Sequence, residues 1–160
     1  MSIEKPTPEL IEKHIQATLA HRQLVKTLMD TLIMRLVERT IVHDESKLHE
    51  PELEAFALVT PKLATTTYGS EEYKVNLRSI KPAVDHHQKS NRHHPEWHGE
   101  KGLAGMNLVD LIEMICDWKA ATLRHNDGDI RRSIEINQKR FGYSDELKAI
   151  LLNTIESLES

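Results

Sequence analysis

The sequence predicts an all-α fold, a compact bundle of about six to seven helices forming one domain over residues 1–160. Apolar residues recur at intervals of three and four from Leu10 to Leu32, which is the spacing of one helix face. Residues that commonly begin helices stand before several of the periodic segments. Signals for strands are absent from the sequence.

The first 43 residues predict two helices, or one helix that continues after a kink near Asp30. Thr7 is a suitable N-cap, and Pro8 suits the first helical position because its missing N–H would be unpaired there in any case. The apolar face extends through Leu36 and Val37, and the helical segment is expected to end near His43.

The third and fourth helices are bounded by proline and serine. The third is expected to begin at Glu50-Pro51 and to end at Pro61, because proline lacks the N–H that would continue the helix. A loop with a last turn at Tyr68-Gly69 follows. Ser70 is then expected to cap the fourth helix, which runs toward His87 with a bend at Pro82.

Three helices are predicted in the C-terminal part of the chain. Asn107 is expected to cap the fifth, which ends in the turn Asn126-Asp127-Gly128. The sixth helix reaches Arg140 and is broken by Phe141-Gly142. Ser144 is then expected to cap the last helix.

The composition indicates a soluble globular protein, with 39% hydrophobic and 29% charged residues. The net charge of −4 argues against binding duplex nucleic acid or an acidic lipid surface. Neither a secretory signal nor an apolar run long enough to span a bilayer is present, so no membrane partner is expected. Cys116 is the one cysteine, which fits a cytoplasmic location.

Histidine is enriched, with ten residues in the chain. Five of them lie within thirteen residues: His86, His87, His93, His94 and His98. Three of these five stand in the stretch from Lys89 to Gly105, which has almost no aliphatic residues and predicts a loop. Histidine is a common metal ligand, and loops on rigid scaffolds often carry function. The cluster therefore indicates a metal site, in which neighbouring histidines diverge and only one of each adjacent pair is expected to be a ligand.

The adjacent pair His43-Asp44 offers an imidazole nitrogen and a carboxylate oxygen. Neighbouring side chains on a helix point about 100° apart, so both reach one ion only at a helix end or a distortion. The segment Glu45-Ser46-Lys47 supplies a plausible helix end. The His-Asp dipeptide is common in proteins, so by itself it is weak evidence for a metal site. Its value as evidence depends on the other candidate ligands.

Glu113 and Asp117 lie four residues apart on one face of the fifth helix, among apolar residues. A carboxylate in apolar surroundings is costly to bury without a compensating cation or donor. The alternative is a solvated stripe formed by Asp110, Glu113 and Asp117. The abundance of histidine favours the metal-ligand interpretation.

His21, His43-Asp44, His87, His94 and Asp117 form the ordered pattern H…HD…H…H…D, which resembles the signature of the HD superfamily of metal-dependent phosphohydrolases. The segment HDESKL is similar to the His-Asp-x-x-Lys form of that superfamily. The combination HDESK, YGSEEY, NRHHPEWH and LVDLIEMICDW resembles a branch of small phage and bacterial HD-like proteins of unassigned function, over roughly residues 14–125.

The resemblance implies an HD-domain-like helical bundle with one or two divalent ions at its centre, whether Mn, Ni, Co, Mg, Zn or Fe. One ion would be held by His21, His43, Asp44 and Asp117, and Asp44 would bridge to a second ion. That second ion would be held by His87 together with His93 or His94, and His86 is the alternative to His87. Small nucleotidase members of the superfamily carry Glu where this chain has Lys47.

The expected activity is hydrolysis of a phosphate ester, with a small phosphorylated substrate such as a nucleotide and with a metal-activated water as nucleophile. Lys47 and Arg92 would neutralise phosphoryl charge, and Glu113 or the pair Glu50 and Glu52 would transfer a proton. Two alternatives use the same residues: a di-iron oxygenase, and a non-catalytic module that binds a nucleotide or a protein. A homo-oligomer is also possible.

Overall fold

The computed structural model describes residues 5–67, 69–124 and 128–159 and confirms the all-α class. Those residues contain helices and no strand. The α-helices are α1 (Pro8–Val42), α2 (Leu53–Ala64), α3 (Glu71–Ser79), α4 (Lys81–Ser90), α5 (Leu108–Thr122), α6 (Ile130–Phe141) and α7 (Asp145–Glu159). Two 3-10 segments lie at Glu45–Leu48 and Pro95–Gly105.

The chain divides into two compact units, residues 1–41 and 42–160. Nearly all of α1 lies in the first unit, and all the other helices lie in the second. A single domain over residues 1–160 stays a prediction. Within the described residues, no helix combines the length and the apolar character needed to cross a bilayer.

Helix α1 begins where the sequence predicts, since the Leu10 N–H donates to Thr7 Oγ1 at 3.3 Å. It continues through Asp30, so a separate second helix is wrong. The reason is that neither proline nor glycine occurs between Pro8 and Val42 to interrupt the hydrogen bonds. None of the residues of α1 is buried, and many of its large apolar side chains are exposed.

Two expectations about proline are wrong. Pro61 lies inside α2, which continues to Ala64, because the loss of one N–H donor does not outweigh the remaining helical turns. Pro82 follows a complete break between two helices rather than a bend. The break is at Ile80, whose φ of −117° and ψ of 29° are not helical.

The predicted cap at Ser70 is confirmed, because its side chain accepts a hydrogen bond from Tyr73 N. The predicted loop between Lys89 and Gly105 is wrong in part, since Pro95–Gly105 forms 3-10 turns. Gly99 and Gly102, with φ of 59° and 49°, separate these turns in a backbone region that favours glycine. Short 3-10 turns are hard to predict because they have no long apolar period.

The C-terminal helices α5, α6 and α7 form the main hydrophobic core. Its buried members are Met114, Ile115, Trp118, Ile130, Ile134, Tyr143, Leu151 and Ile155. The caps predicted at Asn107 and Ser144 and the break at Gly142 are confirmed. The turns predicted at Tyr68-Gly69 and Asn126-Asp127-Gly128 include Tyr68, Asn126 and Asp127, which lie outside the described residues.

Candidate metal centre

The pair His43-Asp44 lies where a helix ends, as the sequence predicts. Helix α1 ends at Val42, and the Glu45–Leu48 3-10 turn begins after Asp44. Asp44 has φ 57° and ψ 15°, in the left-handed region. Asp is one of the few non-glycine residues that occupy this region readily. This change of backbone direction lets the side chains of adjacent residues approach the same group of ligands.

One group of four donor atoms gathers around Asp44 Oδ1. His87 Nε2 lies 3.3 Å from this oxygen, and His93 Nε2 lies 3.5 Å from it. His94 Nε2 is 3.0 Å from His87 Nε2. The four residues offer ligand atoms that all lie within 4.8 Å of one another. Three imidazoles and one carboxylate are a suitable set of ligands for a borderline divalent ion.

Two atoms of this group are buried without a hydrogen-bond partner among the described residues: Asp44 Oδ1 and His93 Nε2. Buried polar atoms are nearly always paired, and an unpaired carboxylate oxygen is especially costly. A divalent cation between these atoms would satisfy both of them. The residues present therefore fit a metal ion.

A second group lies on the other side of the Asp44 carboxylate. His43 Nε2 is 3.7 Å from Asp44 Oδ2 and 3.8 Å from Asp117 Oδ1. These three residues also offer ligand atoms that lie within 4.8 Å of one another, close enough to bind one metal ion. Asp44 thus presents one oxygen to each group, which is the arrangement of a bridging carboxylate.

Two carboxylates, Glu52, which is buried, and Glu113, which is partly buried, hold the far nitrogens of the histidines. Glu113 Oε1 lies 2.9 Å from His43 Nδ1 and 3.2 Å from His93 Nδ1. Glu52, fully buried, places Oε2 at 2.9 Å from His87 Nδ1 and Oε1 at 2.7 Å from His86 Nδ1. A carboxylate that accepts from Nδ1–H leaves Nε2 as the lone-pair nitrogen, which is how metal-ligating histidines are commonly oriented. These contacts indicate a positioning role for Glu113, and its part in proton transfer stays a prediction.

The surroundings shift the pKa of three groups. Burial acts to raise the pKa of Asp44, but the imidazole of His87 and the ammonium of Lys47 lower it well below its ordinary range. The hydrogen bond with Glu113 raises the pKa of His43, against the opposing effect of burial. Burial, together with the neighbouring His93 and His87, lowers the pKa of His94 to about 2. Asp44 is therefore ionised and His94 neutral at pH 7, as metal ligation requires.

The two predicted phosphate-binding cations are both paired with carboxylates. Lys47 Nζ lies 2.5 Å from Asp44 Oδ2. Arg92 donates from Nε and Nη2 to the two oxygens of Asp110, at 3.2 and 3.0 Å, and its guanidinium covers the Trp97 ring. Asp110 is buried, so the alternative of a solvated stripe that includes it is wrong: it closes the α5 capping box and binds Arg92.

The second unit thus brings together most of the predicted ligands: His43, Asp44, His87, His93, His94 and Asp117. Both members of the pair His93 and His94 belong to the first donor group, whereas His86 is exposed and turns to Glu52. His21 lies on α1 in the first unit and is exposed. Its predicted role as a ligand stays a prediction.

Sequence reasoning did not single out Glu52 as a partner of the histidines. It lies among the acidic residues of the segment HEPELE, and nothing in that pattern distinguishes it from Glu50 or Glu54. Both of these neighbours are exposed, whereas Glu52 is fully buried. Glu52 contacts His86 and His87 of α4, and the sequence does not reveal this approach of α4 to the residue before α2.

The chain belongs to a protein family of unknown function, DUF5662, whose match covers residues 10–157. No curated protein and no solved structure matches the chain significantly. The family match covers both groups of donor residues and leaves the chemistry to be inferred from them.

Proposed function

We propose that this chain is a metal-dependent phosphohydrolase that acts on a nucleotide or a related phosphate ester. The observation that carries the proposal is the buried, unpartnered pair of Asp44 Oδ1 and His93 Nε2 within a group completed by His87 and His94. The resemblance of the ordered motif to the HD superfamily supports the same reaction class. Cys116 is the one cysteine of the sequence, which is compatible with a cytoplasmic site of action.

Asp44, His87, His93 and His94 would hold the ion. When bound, a divalent ion lowers the pKa of water toward ~7 and polarises a phosphoryl oxygen. An imidazole-rich donor set favours Zn, Fe, Ni, Co or Mn over Mg, which prefers oxygen ligands. Manganese and cobalt are therefore suitable metals for a first activity screen.

The remaining residues of the site orient ligands and stabilise charge. Glu52 and Glu113 fix the tautomers and the ring orientations of His87 and His93. The Lys47 ammonium is next to the Asp44 carboxylate and is suited to stabilise negative charge on a phosphoryl oxygen. The two hydrogen bonds from Arg92 to Asp110 support a role for Arg92 in positioning the segment that carries His93 and His94.

The proposal is tested by metal quantification followed by a screen of nucleotides and simple phosphate esters with Mn, Co, Ni, Zn, Fe and Mg. We expect bound metal and phosphate release, both of which Asp44→Asn and His93→Gln reduce by more than ~100-fold. His49→Gln, at an exposed histidine, is the matched control and should retain both. Absence of bound metal, or phosphate release unaffected by Asp44→Asn, would contradict the proposal. Iron with oxygen-dependent turnover would favour the di-iron oxygenase.

A further inference from the structure

Lys47 occupies a particular position beside the two donor groups. It follows Asp44 by three residues, across the Glu45–Leu48 3-10 turn, where residues three apart lie on the same side. Its Nζ is 2.5 Å from Asp44 Oδ2 and 5.3 Å from the centre of the Phe56 ring. The Lys47 side chain is 32% exposed, so the ammonium is partly withdrawn from solvent.

The two oxygens of Asp44 differ in their partners. Oδ1 is buried without a hydrogen-bond partner among the described residues and faces His87 and His93. Oδ2 receives the ammonium of Lys47. One oxygen therefore needs a cation, whereas the other already has one.

Oδ2 is also the oxygen nearest to His43, at 3.7 Å from its Nε2, and thus belongs to the group completed by Asp117. A metal ion bound by this group would have to share Oδ2 with the Lys47 ammonium. Two cations on one carboxylate oxygen repel each other strongly in a site that is partly shielded from water. Lys47 and a second ion therefore compete for the same position.

We propose that Lys47 takes the place of a second metal ion, so that the centre binds one ion, held by Asp44 Oδ1, His87, His93 and His94. The inference rests on the proposed metal centre and adds the number of metal ions that each chain binds there. Under this arrangement His43 and Asp117 are not ligands in the wild-type protein. The Lys47 ammonium supplies the second positive charge beside the bound phosphate ester without requiring a second ion.

The test is metal binding itself, measured on chelator-treated full-length protein by titration with Mn²⁺ and by quantification after dialysis. We expect one ion per wild-type chain. Lys47→Met should bind a second ion at least ~10-fold more tightly than the wild type does, because the competing charge is removed. Electron paramagnetic resonance should show isolated Mn²⁺ in the wild type and an exchange-coupled pair in Lys47→Met.

Two controls locate the second ion. Lys74→Met removes an ammonium that pairs with Glu71 at the same sequence spacing on an exposed helix, and it should still bind one ion. Adding Asp117→Asn to Lys47→Met should return the stoichiometry to one, because it removes a carboxylate of the second group.

Two tightly bound ions in the wild-type chain would overturn the inference about Lys47 while leaving the proposed hydrolase intact. A Lys47→Met variant that keeps the wild-type circular dichroism but still binds one ion would also overturn it. The wild-type stoichiometry decides the question if this variant fails to fold. A wild-type chain that binds no metal would overturn the proposed function as well.

Discussion

At the scale of single residues, the candidate centre depends on carboxylates that each contact two groups. Asp44 faces both donor groups, Glu113 contacts His43 and His93, and Glu52 contacts His86 and His87. Glu52 is buried and the other two carboxylates are partly buried, and each is compensated by nearby N–H donors or a cation. Because one residue orients two imidazoles, its substitution should affect the site more than the loss of one hydrogen bond suggests.

Glu52→Gln is the sharpest test of this arrangement. The amide keeps the size of the side chain but cannot accept N–H bonds with both of its terminal atoms, so His87 loses its fixed orientation. We expect metal affinity to fall by about 10- to 100-fold. Competition with a chelator of known affinity measures the change.

Glu54→Gln is the matched control, since Glu54 is exposed and lies in the first turn of α2, two residues after Glu52. It should bind metal as the wild type does. Unchanged metal affinity in Glu52→Gln would show that Glu52 has only a structural role in holding α4 through His86 and His87.

His94 makes the unfolding free energy of the apoprotein depend on pH. Its pKa is lowered to about 2 in the folded chain from the ordinary value of 6.5, so the unfolded chain binds the proton more readily. Stability contributed by the neutral imidazole is present above pH 6.5 and is lost as the pH falls below it. When the pH is lowered from 7.5 to 5.5, the unfolding free energy of His94→Gln should fall by about 1 kcal/mol less than that of the wild type.

Urea denaturation in the presence of EDTA at the two pH values measures this difference. Each protein is compared with itself, so any constant change in stability caused by the substitution cancels. Equal losses in the two proteins would mean that His94 binds its proton as readily in the folded chain as in the unfolded chain, and would contradict a buried neutral ring.

At the scale of elements, the short connections decide which side chains meet. The break at Ile80 separates α3 from α4, and α4 then carries both His86 and His87 toward Glu52. The capping box of α5 joins Asn107 to Asp110, which in turn holds Arg92 beside His93. The start of α5 is thus connected to the histidine-rich segment.

Asn107→Ala should therefore weaken both stability and the site. Loss of the cap leaves the Asp110 N–H without the side-chain acceptor that it has at 3.0 Å. The expected loss of unfolding free energy is about 1 kcal/mol. Chemical denaturation measures it, and Asn153→Ala, at an exposed position inside α7, is the control.

Asn153→Ala should be neutral or slightly stabilising, because alanine has the higher helix propensity and no cap is removed. A similar loss in both variants would contradict a capping role for Asn107. The loss of unfolding free energy in Asn107→Ala would then come from replacing an asparagine by alanine at any helix position.

At the scale of the whole molecule, the donor groups join segments that are distant in sequence. The first group combines Asp44, which follows α1, with His87 of α4 and with His93 and His94, which follow α4. The second group joins His43 and Asp44 to Asp117 of α5. An ion bound there would link these segments in the folded state only. Metal binding should thus raise the stability of the second unit as a whole.

Addition of Mn²⁺ at about 100 times its Kd should stabilise the wild type by about 2.7 kcal/mol, because ligand that binds only the folded state shifts the equilibrium. Thermal unfolding followed by circular dichroism measures the change as a rise in Tm. His93→Gln should abolish the rise, whereas His49→Gln should keep it. Equal rises in these two variants would show that the ion binds elsewhere.

The sequence by itself determined the helical class and the helix boundaries at Ser70, Asn107 and Gly142, and it indicated the majority of the candidate ligands. These follow from local rules: apolar spacing for α1, side-chain caps at Ser70 and Asn107, and glycine at the end of α6. The residue types capable of binding metal are likewise visible in the sequence, as His43-Asp44 and the histidine-rich segment show.

Only the tertiary structure decided which of these side chains meet and in what orientation. Whether Pro61 ends a helix depends on the turns around it, and whether Glu52 is buried depends on a helix about 30 residues away in the chain. The pairing of Lys47 with one oxygen of Asp44, and the lack of a partner for the other, depend on distances of a few tenths of an ångström. Sequence spacing constrains neighbours along one helix, but it does not specify the packing that brings separate helices together.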